Sequence, residues 1–152
     1  MNTQKGTGVF AANKRILHEF VLQEEFEAGV ELQGWEVKAI RARVFAFGDS
    51  YCRFYGSDLR LVQMSIGPYK FANVSDKDVK RSRRLLLHRR ELNRIAAFIS
   101  QQGLTVVPAA LIISDRGLVK VTLAIGRFRS TKGSRDSFER KRVQVEIRRY
   151  VR

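Results

Sequence analysis

Two rhythms of apolar and polar residues divide the chain. From His18 to Phe26 the run HEFVLQEEF opens apolar and β-rich and predicts a strand. Phe26 to Ile40, FEAGVELQGWEVKAI, follows both periods: its first half alternates as a strand does, while Leu32, Trp35, Glu36 and Ala39 fall at helical spacing. The pattern therefore predicts a strand into Val30 and then about two helical turns. VFAFGDSYCRFYGSDLRLVQMSI reads as a β-hairpin turning at Gly56-Ser57-Asp58, where glycine and aspartate tolerate tight backbone geometry. Gly67 to Arg83 is polar and irregular. The clearest helix begins near His88, with Leu92, Ile95, Ala96 and Ile99 in one stripe and Gly103 placed to end it. LTVVPAALII and LVKVTLAI then predict two strands joined through Ser114-Asp115-Arg116-Gly117, and Pro108 marks an edge or a bulge in the first. Residues 1–12, polar and glycine-containing, read as a flexible N-terminus up to Asn13.

Composition adds a core and a charge. The 152 residues suit one compact domain, and 44% hydrophobic content with 10 Phe suffices to fill it. Lys+Arg number 29 against 15 Asp+Glu, a formal net charge of +14, and the resulting field attracts polyanions. No apolar run approaches the roughly 20 residues that cross a bilayer. The opening MNTQKGTGVFAANKR lacks the apolar core of a secretory signal. Cys52 is the only cysteine, so no intramolecular disulfide can form, and with only His18 and His88 beside it a zinc site is excluded. A reducing cytoplasm is the expected compartment, and no cofactor is implied.

The charge is concentrated in two places. KRSRRLLLHRRELNR sets Lys80, Arg81, Arg83, Arg84, Arg89, Arg90 and Arg94 against Glu91 alone. Residues 127–152 form a basic C-terminal tail in which Arg127, Arg129, Lys132, Arg135, Arg140, Lys141, Arg142, Arg148, Arg149 and Arg152 face only Asp136, Glu139 and Glu146. Val143, Ile147, Tyr150 and Val151 make a narrow apolar stripe there, so the tail suits a helix that orders on binding. Clusters this rich in Arg point to nucleic-acid phosphate rather than a merely solvated face. RNA is favoured over duplex DNA because no helix-turn-helix or zinc-finger pattern occurs. An anionic membrane is the rival polyanion, weakened by a stripe without Trp or Leu. Trp35 reads as core beside Leu32, Val37 and Ile40, His18 as a structural hydrogen-bonding residue, and His88 as a helix cap or phosphate contact. No phosphate loop, HExxH or nucleophile elbow is present. Glu24, Glu25, Glu27, Glu31 and Glu36 could hold Mg²⁺ in a small nuclease, but among so many cations they suit pairing with arginine or acceptance from bases and ribose.

Three blocks then carry a family resemblance. Asn13–Ile40, whose core runs on as FEAGVELQGWEVKAIRA from Phe26 to Ala42, the Asp49-Ser50-Tyr51 triplet and RRLLLHRREL at Arg83–Leu92 closely resemble the small protein B (SmpB) family of SsrA-binding proteins. The LTVVP and GLVKV strands are similar as well, and the likeness covers about nine-tenths of the chain in consistent order. The resemblance implies a mainly β protein with small helices: an OB-type β-barrel core over residues 13–126 and a basic tail over 127–152, helical when bound. It implies a non-catalytic RNA-binding protein that takes the tRNA-like domain of transfer-messenger RNA (tmRNA) to the vacant A site of stalled ribosomes in trans-translation. It further implies a monomer when RNA-bound, with the tail against small-subunit rRNA near the decoding centre. Carried over by position, Phe26, Glu27, Ala28, Gly29 and Leu32 would form an RNA-contacting loop. Lys38, Asn13, Lys14 and Arg15 would support it, Arg84, Arg89 and Arg90 would lie on the RNA face, and Leu85 to Leu87 would be structural. Two stretches depart from the family pattern. Arg43–Gly48 is more apolar, and Ser130-Thr131-Lys132-Gly133-Ser134 keeps one lysine of an aspartate–lysine–arginine motif. The missing tail motif favours the alternative of a general RNA-binding or ribosome-associated protein on the same fold that has lost tmRNA delivery.

Overall fold

The computed structural model describes residues 9–68 and 76–129. In order they form β1 (Val9–Ala12), α1 (Lys14–Glu19), β2 (Phe20–Val30), α2 (Gly34–Arg41), β3 (Phe45–Ala46), β4 (Tyr51–Tyr55) and β5 (Asp58–Val62). Then follow β6 (Ser65–Ile66), α3 (Asp76–Val79), β7 (Arg83–Leu86), α4 (Arg89–Gln102), β8 (Thr105–Ile113) and β9 (Val119–Phe128). Mainly β with small helices, the fold agrees with the expected class. Seven strands make one antiparallel sheet in the order β1-β8-β9-β2-β7-β5-β4, and β3 pairs β6 separately.

Among the described residues the hydrogen-bonded ladder does not close on itself, so the expected OB-type barrel is not seen as a closed sheet. Strand β4 curls back beside β8, but β1 already occupies the edge of β8 from Ala110 to Ile112. Val9–Ala12 are therefore a paired strand and not part of a flexible leader. Their N–H and C=O groups find partners on β8, and the four residues, VFAA, are themselves apolar although residues 1–8 before them are mostly polar or glycine. A second difference lies at His18 and Glu19, which end helix α1 instead of opening the strand. The apolar run that drives β2 starts only at Phe20, which packs edge-to-face on Phe128 at 5.2 Å.

Alternation builds the core. Ala28, Cys52, Leu59, Leu61, Leu85, Val121, Leu123 and Ile125 point inward, and Ile95 and Ile99 of α4 close over them. That helix starts where the Glu91 carboxylate accepts the His88 N–H at 2.9 Å and ends on Gly103 at φ +65°, a left-handed turn suited to glycine. At Pro108 the β8–β9 register shifts, which is the bulge its ring predicted. Asn13 meets that bulge: its Nδ2 donates to the Pro108 carbonyl at 2.9 Å and its N–H to Ala109 at 2.8 Å. Trp35 differs from expectation. Helix α2 turns Glu36, Ala39 and Ile40 inward, which leaves Trp35 half-buried on the flank with its Nε1 donating to Gln33 Oε1 at 2.7 Å.

Candidate nucleic-acid interface

A buried ion cluster fixes the frame of the site. Glu36 and Arg83 are both fully buried, and Arg83 Nε donates to Glu36 Oε2 at 2.7 Å while Arg81 Nε donates to the same oxygen at 3.0 Å. The remaining Arg83 donors reach the carbonyls of Met64 at 2.9 Å, Arg81 at 3.0 Å and Val79 at 3.0 Å. Burial opposes ionisation of Glu36. The Arg81 hydrogen bond, the Gln33 N–H and the Arg83 charge outweigh it and hold the carboxyl below its usual range. Burial likewise pulls the Arg83 pKa down while Glu36 supports it. Arg81 and Arg83 thus leave the predicted phosphate-binding cluster. They clamp α2 to β7, and the clamp fixes which side chains of β7 face solvent.

Those solvent-facing positions complete a groove. On β2 the pleat turns Glu27 and Gly29 outward and buries Ala28 completely. Gly29 pairs with Leu86 of β7 on one side and with Lys120 of β9 on the other. Glu27, Gly29, Leu86, Leu87, His88, Glu91 and Lys120 line an open groove of about 540 Å³. Glu27 and Lys120 face each other at 3.5 Å across its rim, both substantially exposed. A Cβ on Gly29 would stand 3.4 Å from Leu86 Cβ, so glycine keeps the floor clear. A carboxylate and an ammonium above an apolar floor can pair with a base edge or ribose hydroxyl, neutralise phosphate and support a stacked ring.

The other candidates are spread out. Phe26 to Gly29 belong to β2, so they are a strand and not a loop; Ala28 has no exposed side chain, and Phe26 and Leu32 pack half-buried on the core. Buried Asn13 supports the β8 bulge. Lys14 is exposed, whereas Arg15 is held by Asp49 at 2.9 Å and Glu19 at 3.3 Å and lies 5.5 Å from the Phe128 ring centroid. This group sits at the Phe20 end of β2, about 30 Å of strand from Gly29. Lys38 is exposed on the last turn of α2. Leu86, expected to be structural with Leu85 and Leu87, is exposed, because β7 alternates inward and outward. Arg84 is half-exposed with Asp58 at 3.6 Å, Arg90 is exposed, and Arg89 borders a second groove with Phe54, Leu92 and Asn93. Exposed His18 lies on α1. Arg127 donates to the Gln102 carbonyl at 3.2 Å, and the N–H of exposed Arg129 donates to the Glu19 carbonyl at 2.7 Å. The remaining tail candidates, Lys132 to Arg149, and the altered Ser130–Ser134 stretch lie outside the described residues. Lys120 was missed as a site residue, although the alternation Val119-Lys120-Val121-Thr122-Leu123 already put it on the outward side of its strand. Among the described residues, no helix is long and apolar enough to cross a membrane.

Open antiparallel sheet, glycine-floored groove and excess cations define a small basic β protein with a surface suited to RNA. The chain belongs to the SmpB family: the family model described as SmpB protein matches residues 10–152. An SsrA-binding protein of Pseudothermotoga lettingae is 37% identical over 144 residues, covering 95% of this chain and 97% of the relative. One from Clostridium botulinum is 35% identical over 152 residues, covering 100% of this chain and 97% of the relative. A solved chain described under "tmRNA-SmpB: a journey to the center of the bacterial ribosome" superposes with a TM-score of 0.61 at 34% identity, over 89% of this chain and 93% of that one.

Proposed function

We propose that this protein binds the tRNA-like domain of tmRNA and delivers it to the vacant A site of stalled ribosomes, for ribosome rescue and nascent-chain tagging in the cytoplasm. One observation carries the reading: residues of two separate family blocks, Glu27 and Gly29 of β2 and Leu86, Leu87, His88 and Glu91 at the β7–α4 junction, line the same groove. Glu27 and Lys120 supply its polar contacts and Gly29 its open floor. In this reading the core over 13–126 holds the RNA, with Lys38, Lys14, Arg89 and Arg90 as outer phosphate contacts. The tail over 127–152 engages small-subunit rRNA near the decoding centre, and the protein acts by binding, without catalysis. The altered Ser130–Ser134 stretch favours one second reading, an RNA-binding protein on this core that no longer delivers tmRNA.

The test is a titration of labelled tRNA-like domain against excess unrelated tRNA at several salt concentrations. The expected result is binding that survives competitor and moderate salt and weakens about ten-fold or more in Glu27→Ala, as loss of a charged RNA contact predicts. Complete displacement by unrelated tRNA would refute tmRNA recognition. Tagging of stalled chains in a reconstituted system would remove the second reading.

A further inference from the structure

Strands β4, β5 and β7 each carry one arginine at the same level of the sheet. Arg53 stands opposite Arg60 and Arg60 opposite Arg84 in antiparallel register. Cys52, Leu59, Leu61, Arg83 and Leu85 are buried on the other face, so these three cations share the outward face, Arg84 exposed and Arg53 and Arg60 partly buried. Adjacent strands lie about 5 Å apart, and the arginines therefore form a row across the strands. Like charges placed directly opposite disfavour strand pairing. A single acid of these strands, Asp58, meets the row, at 3.6 Å from Arg84.

Local contacts hold the row in place. Tyr55, two residues beyond Arg53 on the same face and 42% exposed, has the Arg53 guanidinium 4.2 Å and the Arg60 guanidinium 5.7 Å from its ring centroid. Arg60 Nη1 also donates to Ser82 Oγ at 3.3 Å. Such contacts restrict long side chains that would otherwise lose rotamer freedom on binding. Leu86, the next outward residue of β7 after Arg84, already lines the groove of Glu27 and Lys120, so the row adjoins that groove.

We infer that Arg53, Arg60 and Arg84 form a phosphate rail for the RNA strand that leaves the groove. The inference rests on the RNA-binding reading for its ligand class, but not on which RNA is bound. A guanidinium fork can engage two oxygens of one phosphate, and three forks in a row can follow successive phosphates of one strand. Contacts of this kind set affinity and register without reading sequence. Arg53 and Arg60 stand outside both basic clusters of the sequence and join Arg84 only through the strand register.

The test compares the full chain with its Arg53→Gln/Arg60→Gln and Arg53→Lys/Arg60→Lys variants. Each is titrated with the tRNA-like domain of tmRNA and with a uridine oligonucleotide across a KCl series, and thermal melts accompany every variant. The glutamine variant should bind both RNAs about ten-fold more weakly, and its log–log salt slope should shrink by about 1.4–1.8, the contribution of two phosphates. The lysine variant should keep most of that slope because it keeps the charge. Unchanged affinity and slope in the glutamine variant would overturn the rail and leave tmRNA recognition standing. A slope that falls equally in the lysine variant would also overturn it. Rail-dependent binding of both RNAs, with no preference for the tRNA-like domain, would keep the rail and remove the tmRNA assignment. Failure of the wild type to bind either RNA would remove both.

Discussion

Glu36→Gln isolates the charge of the buried cluster while keeping the size of the side chain. In the native protein the fully buried Arg83 is neutralised by the Glu36 carboxylate at 2.7 Å. With glutamine in its place, the guanidinium keeps the carbonyls of Met64, Arg81 and Val79 but no counter-charge. Removing one partner of a buried pair costs about 3–5 kcal/mol, and the three retained carbonyls argue for the lower end, about 3 kcal/mol. For a chain of this size that corresponds to a fall in Tm of roughly 6–12 °C. Circular dichroism melts at neutral pH measure it directly. A companion Glu36→Leu/Arg83→Met variant, which exchanges the pair for apolar volume, should recover at least half of the loss. A fall below about 2 °C in the single variant would refute the reasoning. So would a double variant as unstable as the sum of its parts, since the defect would then be one of packing. Acid gives the same information without mutation. The Glu36 carboxyl is held below its ordinary value of 4.5 in the folded protein. Its contribution is therefore complete above that value and is lost as pH falls through the lower folded one. Glu36→Gln should accordingly show a shallower loss of stability below pH 4.5 than the wild type.

The remaining predictions concern backbone approach, thiol access and the groove. Gly126→Ala would place its Cβ against the Val21 carbonyl oxygen, so β2 and β9 must separate; a loss of about 1–3 kcal/mol or more is expected, read as a lowered urea midpoint, and a wild-type midpoint would contradict the close approach. Burial raises the Cys52 pKa far above the usual thiol range. Alkylation by iodoacetamide at pH 8 should therefore proceed only as fast as the protein opens, and rapid labelling of the native state would contradict its burial. Lys120→Ala should weaken RNA affinity by about 1–3 kcal/mol in a filter-binding titration, leaving Tm within about 2 °C because the Lys120–Glu27 pair is exposed. Unaltered affinity would remove Lys120 from the site.

Strand periodicity and turn chemistry made most of the fold legible. The Gly56-Ser57 turn, the Gly103 cap and the Pro108 bulge each follow from a residue whose backbone preference is stronger than its surroundings. What the sequence concealed depended on partners far along the chain. Val9–Ala12, VFAA, are a four-residue apolar run too short to mark a strand by itself, and they pair where β8 offers an edge at Ala110–Ile112. That pairing covers the edge of β8 only over Ala110–Ile112, and β4 lies beside β8 without a ladder between them. Trp35 shows the limit of composition: within α2 the acid beside it, Glu36, faces the interior and the tryptophan does not.

Arginine count illustrates the same limit for function. In KRSRRLLLHRREL, Arg83 and Arg84 are adjacent in sequence and opposite in role, because a strand sends neighbours to opposite faces. Arg83 enters the core and needs Glu36, a residue 47 positions away. Arg84 stays outside and meets Arg60 through the register of β5 and β7. Charge density along the chain thus overstates the number of outward-facing cations in one segment and overlooks those brought beside it from another hairpin. The buried pair sets the orientation of β7, and that orientation exposes Leu86 to the groove and Arg84 to the row. Loss of the Glu36–Arg83 pair should therefore weaken RNA binding without removing any RNA-facing side chain. Titrating Glu36→Gln with the tRNA-like domain of tmRNA, at a temperature where the variant is folded, checks this, and wild-type affinity would contradict it.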